Sequence, residues 1–130
     1  MHLLLAVLTA SSVLHSWDDR REAAWAASDP AALRALYVAG SSAARADVRL
    51  LRGYSRRGLV VRRIETQVFA LRVLSADARH LRLRVVDRVA GGEVSGRALG
   101  TTRPETRVIT FRRAGTTWQV VSVTARGPRR

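Results

Sequence analysis

The carboxylate best placed to do chemistry in this sequence is Asp87. It keeps phase with Leu81, Leu83, Val85 and Val89 in an alternating stretch, so it faces the apolar side of a strand. Loss of hydration raises the proton affinity of an acid, which makes an acid so placed a candidate general base. The same placement suits a structural ion pair with an inward arginine such as Arg63. Arg63, Glu65 and Gln67 alternate on one face of the preceding strand. They either line a polar cavity mouth with Asp87 or form the solvated half of a bent strand, the reading alternation favours. Tyr54 shares a helical arc with Leu50 and Leu51; its hydroxyl could donate to a ligand oxygen or satisfy one core hydrogen bond. Trp17 and Trp118, with Trp25, read more readily as core than as stacking platforms. Asp47 is either the cap of a helix or an acid on its inward arc, and capping is the commoner role. The pocket candidates are thus Trp17, Tyr54, Arg63, Glu65, Gln67, Asp87 and Trp118.

A second chemistry is anion binding. Arg45, Arg49, Arg52 and Arg56 are spaced by four, three and four residues and form one stripe on a helix, which could meet phosphates. A helix beginning at Asp47 would lose Arg45 from it. Arg82 and Arg84 add charge to the outer face of a strand. No aromatic residues interleave these arginines, which argues against base stacking and so against nucleic acid. Other chemistries find no support. His2, His15 and His80 are scattered, and His15 with Asp18 and Asp19 reads as a surface pair. No metal-binding, P-loop, dinucleotide or nucleophile-elbow motif is present, so no metal and no cofactor is expected.

The positioning elements follow from periodicity. Leu3 to Leu8 is too short for a membrane span of ~20 residues. Residues 1–11 read as first helical turns, a weak signal or the tail of a longer anchor, the last two allowing membrane association. The location is then cytoplasmic or extracytoplasmic and membrane-associated. From Ser12, apolar residues at spacings of three and four predict a helix to about Ser28. Asp29-Pro30 starts a short second helix over Ala31 to Tyr37, and a third runs from Ala44 or Asp47 to Arg57, stopped by Gly58. The period then falls to two. Strands are expected over 59–74, 80–89, 106–113 and 117–125, with Gly91-Gly92 breaking the second and 93–103 unassigned. Residues 126–130 form a basic tail. Three helices followed by a four-stranded antiparallel meander give an α+β layout in one domain, residues 12–125.

Length and composition agree. One domain suits 130 residues, and the absence of cysteine excludes disulfide scaffolds, thiolate metal sites and cysteine nucleophiles. All 23 basic residues are arginine, against 10 acids, for a net charge of +13. Such a surface attracts anions, although GC-rich codon usage alone explains arginine in place of lysine.

The stretch Trp25-Ala26-Ala27-Ser28-Asp29-Pro30-Ala31-Ala32-Leu33-Arg34-Ala35-Leu36-Tyr37 resembles the end of helix 1, the acidic turn and the short second helix of the NTF2-like (SnoaL-like, cystatin-like cone) superfamily. Ala114-Gly115-Thr116-Thr117-Trp118-Gln119-Val120 resembles its closing hairpin and last strand. The resemblance covers about residues 12–125 and implies a shortened cone: a curved sheet wrapping a long helix around a pocket. It also implies a choice among isomerases, cyclases, transport factors and non-catalytic domains, which the fold alone does not make. With no acid–base constellation in view, the expectation is a non-catalytic domain binding a small apolar ligand or a protein. The alternatives are an isomerase or cyclase using Asp87, and a basic module for nucleic acid or anionic membrane. Arg82 and Arg84 would face their own copies across a sheet-to-sheet dimer, so a monomer or weak dimer is expected.

Overall fold

The computed structural model describes residues 2–126, with side chains described for residues 9–125. Met1 and the basic tail from Gly127 lie outside the described residues. Helix α1 (His2–Ala26) takes in the apolar N-terminal segment as its opening turns. Ala10, Val13, Leu14, Trp17, Ala24 and Trp25 recur at helical spacing and are all buried. No described helix is long and apolar enough to cross a membrane. The helix ends at Ala26, and Ser28, with a φ of 51°, turns the chain two residues later. Asp29 then caps α2 (Pro30–Arg34) by accepting from the Ala32 amide at 3.1 Å.

After α2 the chain lies beside the last strand. The Val38 amide donates to the Val120 carbonyl, and the Val120 amide to Leu36. Tyr37 is thereby fixed in the core rather than continuing the helix. Helix α3 (Ser42–Arg56) starts earlier than expected, because Ser41 accepts from the Ala44 amide at 3.1 Å and is the cap. Asp47 is released from that role, and Arg45 belongs to the helix.

Strands β1 (Val61–Ala76), β2 (His80–Val94), β4 (Glu105–Ala114) and β5 (Thr117–Arg126) form an antiparallel sheet in the order β1-β2-β4-β5. The two-residue β3 (Arg97–Ala98) pairs with the end of β2, where β4 no longer reaches, so the sheet has five strands rather than four. Gly91-Gly92 does not break β2. Gly92 (φ 144°) lies so near its neighbours that a Cβ would meet Leu99 Cδ1 at 3.0 Å and the Arg63 carbonyl at 3.2 Å. Glycine here permits a close approach within a strand. Strand β1 bends at several register shifts. The shift between Val68 and Ala70 changes which residues face inward, from Ile64, Thr66 and Val68 to Leu71 and Val73.

The core lies between the inner sheet face and the helices. Leu83, Val85, Ile109, Phe111 and Val120 from the sheet meet Leu14, Trp17, Leu33 and Leu51. The Trp17 ring packs edge-on against Tyr37 and Phe111 at centroid distances of 5.4 and 6.2 Å. Towards the β3 end of the sheet this packing stops short and leaves a cleft.

Candidate functional site

Three elements converge on the cleft. One arc of α1 brings Trp17, Asp18 and Arg21; α3 brings Asp47 and Leu50; the inner sheet face brings Thr66, Asp87 and Arg107. The space measures about 510 Å³ and opens to solvent. Ile64, Val89 and Val123 give it apolar walls, and Leu50 stands 52% exposed at its edge.

Asp47 anchors one wall. Arg21 donates to it twice, Nε to Oδ2 and Nη2 to Oδ1, each at 2.7 Å. The Tyr37 hydroxyl donates to Oδ2 at 2.6 Å and Trp25 Nε1 to Oδ1 at 3.2 Å. Burial alone would raise the carboxyl, but the bonds and charge of Arg21, then the bonds from Tyr37 and Trp25, hold it below the usual carboxylate range. Burial together with the Asp47 charge pushes the Tyr37 hydroxyl up, so it stays protonated. The sequence weighed Asp47 chiefly as a cap; it is a buried ion-pair partner.

Asp87 is buried on the inner face, and Arg107 Nε donates to its Oδ1 at 3.2 Å while Nη2 bonds Oδ2. The partner is Arg107 and not Arg63. Both oxygens of Asp87 thus bond a guanidinium, and taking a substrate proton would break a buried ion pair, which argues against its use as a base.

Asp18 differs from both. It is half-buried, and among the described residues no donor bonds its carboxylate and no cation pairs with it. Burial, and to a lesser degree the negative charge of Asp87, lift its pKa from 3.8 to about 6, against the opposing charges of Arg107, Arg21 and His15. It faces both the main cleft and a side recess of about 140 Å³ that includes His15 and Glu22.

The remaining candidates separate. Trp17 lines the cleft, and its Nε1 donates to the Leu36 carbonyl at 2.9 Å. Tyr54 packs edge-on against Trp25 at 5.6 Å, away from the cleft. Trp118 borders a separate recess with Arg20, beyond the first turns of α1. Arg63, Glu65 and Gln67 are exposed and do not line the cleft, because the β1 bend turns Ile64 and Thr66 inward instead. Gln67 accepts from Arg88 Nε at 2.9 Å in an exposed contact. Arg45, Arg49, Arg52 and Arg56 are exposed on α3 and share a groove. Arg82 is exposed on the outer sheet face and Arg84 half-buried there, with its Nε lacking a partner.

Asp18, Arg21, Tyr37 and Arg107 were not singled out from the sequence, yet each carried a signal. Asp18 lies four residues after Leu14 and seven before Trp25, and Arg107 alternates inward with Ile109 and Phe111.

No protein-family model matches the sequence, and no curated protein matches it. Solved structures do match in three dimensions. An NTF2-like protein with a cystatin-like fold from Novosphingobium aromaticivorans superposes with a TM-score of 0.56 at 20% identity, over 93% of this chain and 83% of that one. The chain has the NTF2-like cone fold. The intermembrane space region of the chloroplast protein ARC6 shares it, with a TM-score of 0.59 at 14% identity over 90% of this chain and 93% of that one. Bd1075 of Bdellovibrio bacteriovorus matches at 0.55 and 11% identity over 87% of this chain, which spans 40% of that longer protein. At these identities the likeness is one of fold. Within this fold the cleft lies between α1, α3 and the inner sheet face.

Proposed function

We propose that the chain is a non-catalytic NTF2-like binding domain whose cleft takes a small, mainly apolar molecule carrying one hydrogen-bond donor. One observation carries the reading: the two deeply buried acids of the cleft are both committed to arginines, Asp47 to Arg21 and Asp87 to Arg107. The Tyr37 hydroxyl is committed to Asp47 and cannot polarise a substrate oxygen. What is left is a space with apolar walls, lined also by exposed Arg103 and Glu105, and, among the described residues, one half-buried carboxylate without an ion pair, Asp18. At pH 7 that group is mostly ionised and accepts a hydrogen bond.

The test is a fragment library screened by saturation-transfer NMR against the natural protein and Thr66→Trp, which fills the cleft from an exposed position. Hits that vanish in the variant support the reading. Hits that survive it overturn the cleft as the site.

The raised pKa of Asp18 favours a second reading, in which Asp18 rather than Asp87 is the general base of a small isomerase or cyclase. Deuterium exchange at the α-carbons of a ketone panel, catalysed by the protein and lost in Asp18→Asn, would establish it. Exchange no faster than in buffer would remove it.

A further inference from the structure

A second concave feature lies on the other side of α3. The groove between that helix and the α1–α2 junction measures about 760 Å³. Arg34, from the end of α2, and Arg45, Arg49, Arg52 and Arg56, from α3, stand on its rim. The α3 arginines follow one another along about 16 Å of helix at 1.5 Å per residue. Among the described residues no aspartate or glutamate lines the groove, and none of the ion pairs involves these five arginines. Arg45 Nη1 donates to the Gly40 carbonyl at 2.7 Å, which holds that guanidinium at one end. The floor is small and apolar: Pro30, Ala44 and Val48.

We infer that this groove is a binding site for an acidic peptide segment, with its carboxylates on the arginine rim and a small apolar side chain on the floor. Five like charges along one concavity repel each other, and a polyanion relieves that repulsion while gaining charge-assisted hydrogen bonds. The floor decides the class of polyanion. Among the described residues no aromatic side chain lines the groove to stack a nucleobase. Ala44 and Val48 are buried, so no apolar side chain projects from the groove to wedge into a bilayer. An extended peptide rises about 3.3 Å per residue, so roughly five residues span the stripe, with alternate side chains facing floor and rim.

The probe is a fluorescein-labelled ten-residue peptide of glutamates with two interior leucines, read by anisotropy. The comparison ligands are an oligothymidylate of equal length and phosphatidylglycerol-containing vesicles. Arg49→Glu with Arg52→Glu should weaken peptide binding at least about tenfold, because two attractions become two repulsions. Arg72→Glu with Arg112→Glu makes the same charge change at exposed sheet positions and should leave the affinity within about twofold. Replacing the two leucines by glycine should weaken binding to the natural protein. Circular dichroism confirms that both double variants remain folded. Equal weakening by the two double variants would reduce the effect to net charge and overturn the site. Tighter binding of the oligonucleotide or the vesicles, lost in the groove variant, would assign the groove to that ligand and overturn the peptide.

Discussion

Asp47→Asn separates a structural acid from a functional one. The Asp47 carboxylate accepts four hydrogen bonds, two from Arg21 and one each from Tyr37 and Trp25. An asparagine in the same place has one oxygen to accept with and turns an amine towards the other donors, so about two of the four are orphaned. Each unsatisfied buried donor costs about 1–3 kcal/mol. Breaking a buried ion pair by removing one partner costs about 3–5 kcal/mol in all. The Arg21 side chain is 31% exposed, so it can turn towards water, which selects the lower end. The expected loss is about 3 kcal/mol, or about 10 °C in Tm for a chain of this size. Urea unfolding followed by circular dichroism measures it, with an unchanged m-value showing that only stability moved. The pH dependence has a definite sign. The folded pKa of Asp47 lies below its unfolded value, so its contribution is present above about pH 4 and is lost as pH falls through the folded value. The variant should lack that acid-side loss. A loss under about 1 kcal/mol, or an unchanged acid limb, would refute the claim that Asp47 organises this wall.

Other perturbations read the same structure. Asp18→Asn should stabilise the protein at pH 7 by about 1–2 kcal/mol after discounting for solvent, and by little at pH 4, as denaturation at the two pH values would show. The sign follows from a folded pKa of about 6, above the unfolded value, so that stability falls as pH rises between the two. Arg107→Met strands the buried Asp87 and should cost about 3 kcal/mol in urea unfolding. It also removes a positive charge beside Asp18, so Asp18 should titrate higher in carboxyl NMR. Gly92→Ala should lower stability by about 1–3 kcal/mol, measured by thermal unfolding, because φ is 144° and the new Cβ crowds Leu99 and the Arg63 carbonyl.

Much of the architecture was legible because it rests on local signals. The α1 periodicity, the Asp29-Pro30 start and the change from period 3.6 to 2 after Gly58 all correspond to elements of the structure. What escaped was set by long-range contact. Gly91-Gly92 reads as a break, yet β2 continues because another segment packs tightly against it. Asp47 reads as a cap until Ser41 takes that place and Arg21, 26 residues away, supplies a partner. The inward phase of Asp87 was readable; its partner was not, since choosing Arg107 over Arg63 depends on bulges that turn Arg63 outward. Asp18 reads with His15 as a surface pair, yet its spacing to Leu14 and Trp25 places it on the buried arc. The arginine excess resolves into exposed positions and the α3 groove, together with two cations held by buried acids.

The cleft is a ligand site in which Asp47 and Asp87 are committed to arginines, while half-buried Asp18 has no ion-pair partner among the described residues. A carboxyl-carbon NMR titration of Asp18 tests it most directly. A midpoint close to 6, moving when a fragment fills the cleft, is the predicted result. A midpoint near the ordinary aspartate value of about 4, insensitive to any fragment, would show a water-filled surface there and contradict the account.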